Sequence, residues 1–321
     1  MSRNPNDKSS SYSSQGTTTT SARPPARRGP SGAWSRFRPA VTDPLEVYGL
    51  PSKGETRLHD YKAQENYYTK IVERYMKFCA STGGGEGLER AFAELSVDDA
   101  PPSRPAEPST EARPGLPHRG SSTERPNDMP TILLAMRKLR EGILGSRRRD
   151  QFAQRAYMFI IHACILTKHW ESYQPALLYL LYSIHPCTPL STPEVQEFVG
   201  YHILDLGCRQ YELVDALTVK LEFRHRDRKV NVVLKSLVHD DWVRFWRTRR
   251  AVDGYQRAIM EFASERMRLH ALKCVGKSYL NADKAFIERT GDARWEDLVK
   301  GGVGWQLQEN GNVVIRKPKP K

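Results

Sequence analysis

Between residues 131 and 280 the chain carries an almost unbroken series of amphipathic segments, which restricts the fold more than any other feature. Within each segment, apolar residues recur three and four positions apart, the spacing of one face of an α-helix. Short polar or proline-containing stretches separate the segments, so neighbouring helices are expected to pack antiparallel. The sequence therefore predicts a solenoid-like array of helical hairpins over residues 131–280. The predicted helices are Thr131–Leu144, Ser146–His169, Glu171–Pro186, Ser191–Gln210, Tyr211–Phe223, Lys229–Asp240, Asp240–Arg250 and Tyr255–Leu280.

The pattern changes after the last of these helices. Two short helices are predicted, from Ala282 to Gly291 and from Ala293 to Gly302, and a β-hairpin follows them. Asn310-Gly311 marks its turn, because both residue types tolerate a positive φ. Apolar residues alternate with polar ones on either side of that turn: Val303, Trp305, Leu307, Val313 and Ile315. Two helices and a hairpin at the end of a helical array predict a winged-helix subdomain over residues 281–316, followed by a basic tail, 317–321.

The first 130 residues differ in composition from the array. Residues 1–54 are rich in Ser, Thr, Pro and Arg and are predicted to be a disordered tail, in which Asp43–Leu50 is either a candidate docking motif or a strand laid onto the main domain. Residues 55–82 contain one amphipathic helix, Tyr61–Ala80, which either packs onto the array or binds a partner; the first alternative is favoured. Residues 83–129 are predicted to be a disordered linker, interrupted by a short helical stretch at Gly87–Ser96.

Charge and cysteine usage indicate an intracellular protein. The formal net charge is +13, and most of the excess lies in the predicted array. Such an excess suits an acidic partner surface or nucleic acid, and the alternative is a merely solvated basic face. Five scattered cysteines are typical of reduced thiols. Because the longest apolar run, Met158–Leu166, falls short of the roughly 20 residues that span a bilayer, no membrane segment is predicted. The expected location is the cytoplasm, the nucleus or both.

Motifs for catalysis are missing from the sequence. There is no HExxH, no CxxC pair, no phosphate-binding GxxxxGK[ST] and no GxSxG. His202, Asp205 and Cys208 share one predicted helix and resemble part of a nucleophilic triad, but packing of an apolar stripe is the better interpretation. We therefore predict a protein that is not an enzyme and that has no cofactor, no metal and no small-molecule substrate.

One arginine-rich helix suggests a second kind of partner. Arg244, Arg247, Arg249 and Arg250 lie on or just beyond a helix that also carries Trp242, Phe245 and Trp246. Arginines between aromatic residues suit phosphate contacts and base stacking, so the four arginines are candidate nucleic-acid contacts. The alternative is a solvated basic face over core aromatics. A further run, Arg147–Arg149, lies at the start of an earlier predicted helix.

The stretches Tyr211–Val252 and Glu265–Gly291, read with the hairpin, resemble the PCI-domain family. The likeness is nearest to the subgroup of COP9 signalosome subunit eight, the small proteasome lid subunit and the k subunit of initiation factor 3. It implies a scaffold that docks PCI-type subunits of a large complex through its winged helix. Trp305, Leu307, Val313 and Ile315 would then form either the core of the wing or its partner-binding surface. The long N-terminal extension departs from the subgroup, and GANP-type mRNA-export scaffolds, which associate with nucleic acid, remain the alternative.

Overall fold

The computed structural model describes residues 43–81 and 128–316. The described part is mostly helical and carries one small three-stranded antiparallel sheet, which confirms the coarse fold class. The predictions of a disordered tail before residue 43, a linker with a helix at Gly87–Ser96, and a basic tail at 317–321 lie outside the described residues.

The helices follow the predicted series with boundaries shifted by a few residues. Two 3-10 turns, Pro51–Lys53 and Arg57–His59, precede the first long helix. The fourth and fifth helices each continue into a π-helical turn, Leu180–Ile184 and Asp205–Gln210. The helices are α1 Tyr61–Ser81, α2 Asp128–Gly145, α3 Gln151–Leu166, α4 Trp170–Tyr179, α5 Thr192–Leu204, α6 Leu213–Glu222, α7 Arg228–Val238, α8 Trp242–Ala251 and α9 Gly254–Ser278.

Consecutive helices pack in pairs: α1 with α2, α3 with α4, α5 with α6, and α7 with α8. The long helix α9 contacts α3, α5 and its π-helical turn, and α8, so it connects most of these pairs. Aspartates begin several of the helices, because their carboxylates accept free backbone N–H groups of the first turn. Asp150, Asp241 and Asp253 accept from Ala153, Arg244 and Gln256 at 3.0, 3.0 and 2.8 Å.

Helix α1 packs along α2, which is the first of the two alternatives for this segment. Its Tyr67 is buried and donates a hydrogen bond from Oη to the carbonyl oxygen of Leu45 at 2.7 Å. Leu45 is itself only 2% exposed. The stretch Asp43–Leu50 therefore packs on the chain's own helices through Leu45, as in the second of its two predicted alternatives, but it forms a turn and not a strand. The folded domain begins before residue 54.

Several loops between helices contain a residue that is not glycine but has a left-handed backbone conformation. In the loop after α6, Arg224 has φ 49°, and the N–H of His225 donates to the carbonyl oxygen of Lys220 at 2.9 Å, closing the helix end. The left-handed conformation costs an L-residue roughly 1–2 kcal/mol, whereas glycine adopts it freely. The other left-handed residues at such helix ends are Arg147, Lys168, Tyr211, Asp240 and Asp292.

We expect Arg224→Gly to raise the free energy of unfolding by about 0.5–1 kcal/mol, because relief of this strain exceeds the added entropy of the unfolded chain. Urea denaturation followed by circular dichroism measures the change. Arg226→Gly is the matched control, since Arg226 lies in the same loop without a positive φ and should be neutral or slightly destabilised. Equal effects of the two substitutions would contradict the assignment of strain to position 224.

The C-terminal unit contains one strand more than the sequence predicts. Its elements are β1 Asn281–Asp283, α10 Lys284–Gly291, α11 Trp295–Lys300, β2 Gln306–Leu307 and β3 Asn312–Val314. The strand order is β1-β3-β2. Val313 of β3 lies opposite Ala282 of β1 on one side and opposite Leu307 of β2 on the other. Ala282 and Asp283 were predicted to be helical; that prediction is wrong, because pairing with β3, some thirty positions away in the chain, overrides a local helical pattern.

The hairpin turn is where the sequence predicts it, but its geometry differs. Gly311 has φ 81°, whereas Asn310 keeps a negative φ. The N–H of Gly311 donates to the carbonyl oxygen of Gln308 at 3.1 Å, and the N–H of Gln308 donates to that of Asn312 at 2.8 Å. These bonds define a three-residue loop with a glycine bulge, which needs only one left-handed residue.

Candidate functional site

The four residues proposed for partner binding divide between the core and the surface. Val313 is fully buried in a small core with Leu298 and Ile287, and Trp305 and Ile315 pack partly buried against it. Leu307 is 42% exposed. Of the four, Leu307 is therefore the side chain most available to a partner, and the other three hold the sheet against its helices.

The strand that carries Leu307 is an open edge of the sheet. Because Gln308 is hydrogen-bonded to Asn312 and pairing alternates along an antiparallel ladder, Leu307 occupies a position that is not hydrogen-bonded to β3. Its N–H and C=O therefore point away from the sheet. An edge strand with free backbone groups can accept a strand from another chain.

The four candidate nucleic-acid contacts do not form one free basic surface. Arg249 and Arg250 both bind Asp292, at 3.0 and 2.6 Å, and Arg249 also pairs with Glu261. Arg244 lies 3.3 Å from Asp241 on an exposed part of α8. Arg247 is exposed and makes no ion pair with any described residue. Neutralisation of two of the four arginines leaves little unpaired charge for a phosphate backbone.

These ion pairs belong to a clasp that joins the helical array to the C-terminal unit. We use "clasp" for the contacts that Trp246, Arg249, Arg250 and Arg268 make with the end of α10. Trp246 Nε1 donates to the carbonyl oxygen of Thr290 at 3.1 Å, and Arg268 Nε donates to that of Gly291 at 2.8 Å. The clasp satisfies the last carbonyl groups of α10, which its own helix leaves free.

Sequence reasoning missed the clasp. Its arginines and tryptophan were recognised as a group, but Asp292 was not, because it lies some forty residues further along the chain. The aromatic residues were correctly weighed as core, since Phe245 and Trp246 are both buried. The carboxylate of Asp292 reaches the helix end because the residue is left-handed. Glycine usually marks that conformation in a sequence, and an aspartate there gives no such signal.

A groove lies beside the clasp, between α8, α9 and α10, with a volume of about 500 Å³. Its apolar lining includes Trp242, Val243, Tyr279 and Phe286. Three arginines also line it: Arg247, Arg250 and Arg289. The exposed face of the clasp region is therefore a concave apolar surface with positive charge.

Neither protein-family models nor the curated proteins provide a match for this chain. Within residues 43–81 and 128–316, no helix combines the length and apolarity needed to cross a membrane. The same residues contain no group of three or more histidine, cysteine or acidic side chains placed to hold a metal ion.

The residues that resemble part of a nucleophilic triad are built into the core instead. Asp205 is fully buried and accepts hydrogen bonds from Tyr173 Oη at 2.6 Å, from Arg209 Nε at 2.7 Å and from Gln210 Nε2 at 2.8 Å. Burial raises the pKa of the Cys208 thiol to about 12 and lowers the pKa of His202. A thiol in that state is a poor nucleophile. The hydrogen bonds that Asp205 accepts instead stabilise the π-helical turn after α5.

One arginine of the run Arg147–Arg149 also has a structural role. Arg148 is only 4% exposed; its guanidinium pairs with Glu65 and Asp150 at 2.5 and 2.8 Å. It also lies over the rings of Tyr61 and Phe152, at 4.3 and 4.2 Å from their centres. Arg148 therefore fastens α1 to the loop between α2 and α3 and is not available to a nucleic acid.

Proposed function

We propose that this chain is a non-enzymatic scaffold subunit that resembles PCI proteins and docks another protein subunit of a large intracellular complex. In this proposal the paired helices form a solenoid-like array, and the C-terminal unit is a winged helix. The docking element is the free edge of β2. The observation that carries the proposal is the outward-facing backbone of Leu307 beside its exposed side chain.

Two features support a docking role for this edge. The sheet is held rigidly, because Val313 and Trp295 are buried beneath it and the clasp fixes α10 to the array. A rigid edge loses little conformational entropy when a strand is added, so more of the interaction free energy appears as affinity. An apolar side chain at the same edge adds burial to the backbone hydrogen bonds.

The alternative, an adaptor associated with RNA or DNA in the manner of GANP-type mRNA-export scaffolds, has weaker support. It relies on Arg244, Arg247, Arg249 and Arg250, and two of these, Arg249 and Arg250, are paired with the carboxylates of Asp292 and Glu261. Helix α11 carries Glu296 and Asp297 in its first turn, which opposes phosphate contact there. Protein docking is therefore the function that the geometry favours.

Leu307→Pro tests the docking edge directly. Proline removes the outward N–H of Leu307 and leaves the hydrogen bonds to β3 intact, since edge strands tolerate proline at such positions. Loss of one inter-chain hydrogen bond and the leucine contact should weaken partner capture by roughly tenfold. The measurement is affinity purification of the tagged full chain from its source cells, with quantitative identification of the co-purifying proteins.

Leu307→Ala is the matched control, because it shortens the side chain but keeps the N–H group. We expect it to retain more of the partner than Leu307→Pro does. Full recovery of the same partners by the proline variant, with an unchanged circular dichroism spectrum, would exclude the β2 edge as the docking element. These point substitutions are preferable to truncation after Leu280, which would uncover Trp246 and Leu272.

A further inference from the structure

The groove between α8, α9 and α10 has the composition of a peptide-binding site. Val243 and Tyr279 stand exposed on its rim, and Trp242 and Phe286 are half-buried in its walls. The indole of Trp246 is buried at its base with its N–H already bonded to Thr290. Exposed apolar residues that line a concave surface are typical of a surface that another molecule covers.

The charges in the groove are all of one sign. Arg247 and Arg289 are exposed, and neither forms an ion pair with a residue that the structure describes. Arg250 has a partner in Asp292, which lies outside the groove lining. No acidic side chain is found among the described lining residues. The groove therefore complements negative charge placed next to apolar groups.

We infer that this groove binds a segment of a partner protein in which aspartate or glutamate residues flank aromatic or branched aliphatic side chains. The apolar anchors would lie over Trp242, Val243 and Phe286. The carboxylates would pair with Arg247 and Arg289, whose planar guanidinium groups bind carboxylates with two parallel hydrogen bonds. This site is separate from the β2 edge, so it holds whether or not strand docking occurs.

A peptide suits the groove better than a nucleic acid does. Binding a phosphate backbone requires a track of unpaired cations, and Arg249 and Arg250 are occupied by Asp292. The aromatic rings also pack on other side chains: Tyr279 meets Phe286 edge-on at 5.7 Å, and Trp242 lies 5.7 Å from His270. Such rings offer apolar contact but few free faces for stacked bases.

The test starts from a phage-displayed library of random twelve-residue peptides, selected on the full chain. The most enriched sequence is then synthesised with a fluorescent label and titrated by anisotropy. We expect enrichment of acidic residues together with Trp, Phe or Leu. Arg247→Glu combined with Arg289→Glu should weaken binding of that peptide by roughly tenfold or more, because two attractive pairs become repulsive.

Arg244→Glu is the matched control, since Arg244 lies on the same helix but does not line the groove. It should change the affinity less than twofold or so. A peptide with lysine in place of its acidic residues should bind the double variant better than it binds the unchanged chain. This reversal requires direct pairing and cannot result from a misfolded variant.

Cys274 supplies a second readout, because it lines the groove and is half-buried, whereas Cys187 is exposed elsewhere. Bound peptide should slow alkylation of Cys274 by iodoacetamide and leave Cys187 unaffected. Selected peptides without acidic bias, or binding that survives the double substitution, would overturn the inference. So would arginine-dependent binding of labelled oligouridine in the absence of peptide binding. Leu307→Pro should leave peptide affinity unchanged, so failure of the β2 edge and failure of the groove are distinguishable.

Discussion

Replacing Asp205 with alanine is expected to lower the free energy of unfolding by about 3–5 kcal/mol, the usual cost of breaking a buried ion pair from one side. The carboxylate is fully buried and accepts hydrogen bonds from Nε and Nη2 of the Arg209 guanidinium, at 2.7 and 2.8 Å. Without it, Arg209 would remain largely buried as an uncompensated charge, and Tyr173 would lose the acceptor of its hydroxyl group.

Urea denaturation followed by circular dichroism measures this change. Glu73→Ala is the matched control, because Glu73 is an exposed acidic residue within α1 that makes no ion pair with a described residue. It should shift the free energy of unfolding by less than about 0.5 kcal/mol. A loss below about 1 kcal/mol for Asp205→Ala would contradict the role of Asp205 as the buried partner of Arg209.

Replacing Trp246 with alanine is expected to cost about 3–5 kcal/mol, as is usual for a large aromatic residue removed from a core. The side chain is 2% exposed and packs edge-on against Phe245 at 5.0 Å between ring centres. Its N–H also holds the last turn of α10 through Thr290. The substitution should therefore loosen the C-terminal unit as well as lower overall stability.

Trp246→Phe separates the contribution of apolar packing from that of the N–H donor. It keeps most of the apolar volume but removes the N–H donor, so we expect a smaller loss of about 1–2 kcal/mol. Limited proteolysis should cut both variants near residues 280–292 faster than the unchanged chain. Val243→Ala, an exposed position on the same helix, should leave the cleavage rate unchanged. Resistance of the alanine variant to proteolysis would show that the clasp does not depend on Trp246.

Most of the helices could be predicted from the sequence because helices are local structures. Apolar spacing of three and four residues located α1 to α9. The hairpin was readable for the same reason: alternation and one Asn-Gly pair fit within about a dozen residues. Boundaries differed where helix ends are closed by left-handed residues that carry no glycine signal.

The candidate site was readable only in part. The sequence brought Trp305, Leu307, Val313 and Ile315 into one hairpin but left open which of them were core. Burial of Val313 and exposure of Leu307 depend on which face of the sheet α10 and α11 cover. The groove, likewise, is formed by three helices that are separate in the chain, so local pattern could not reveal it.

The sequence by itself determined a helical chain, the paired order of its helices and a hairpin at its C-terminal end, because each depends on residues close together in the chain. Only the tertiary structure decided that Leu45 is buried, that β1 joins the sheet and that Asp292 pairs with Arg249 and Arg250. Each of these depends on contacts between distant residues, and their free energy appears only when the helices have packed. The open edge at Leu307 and the arginine-lined groove are therefore properties of the fold.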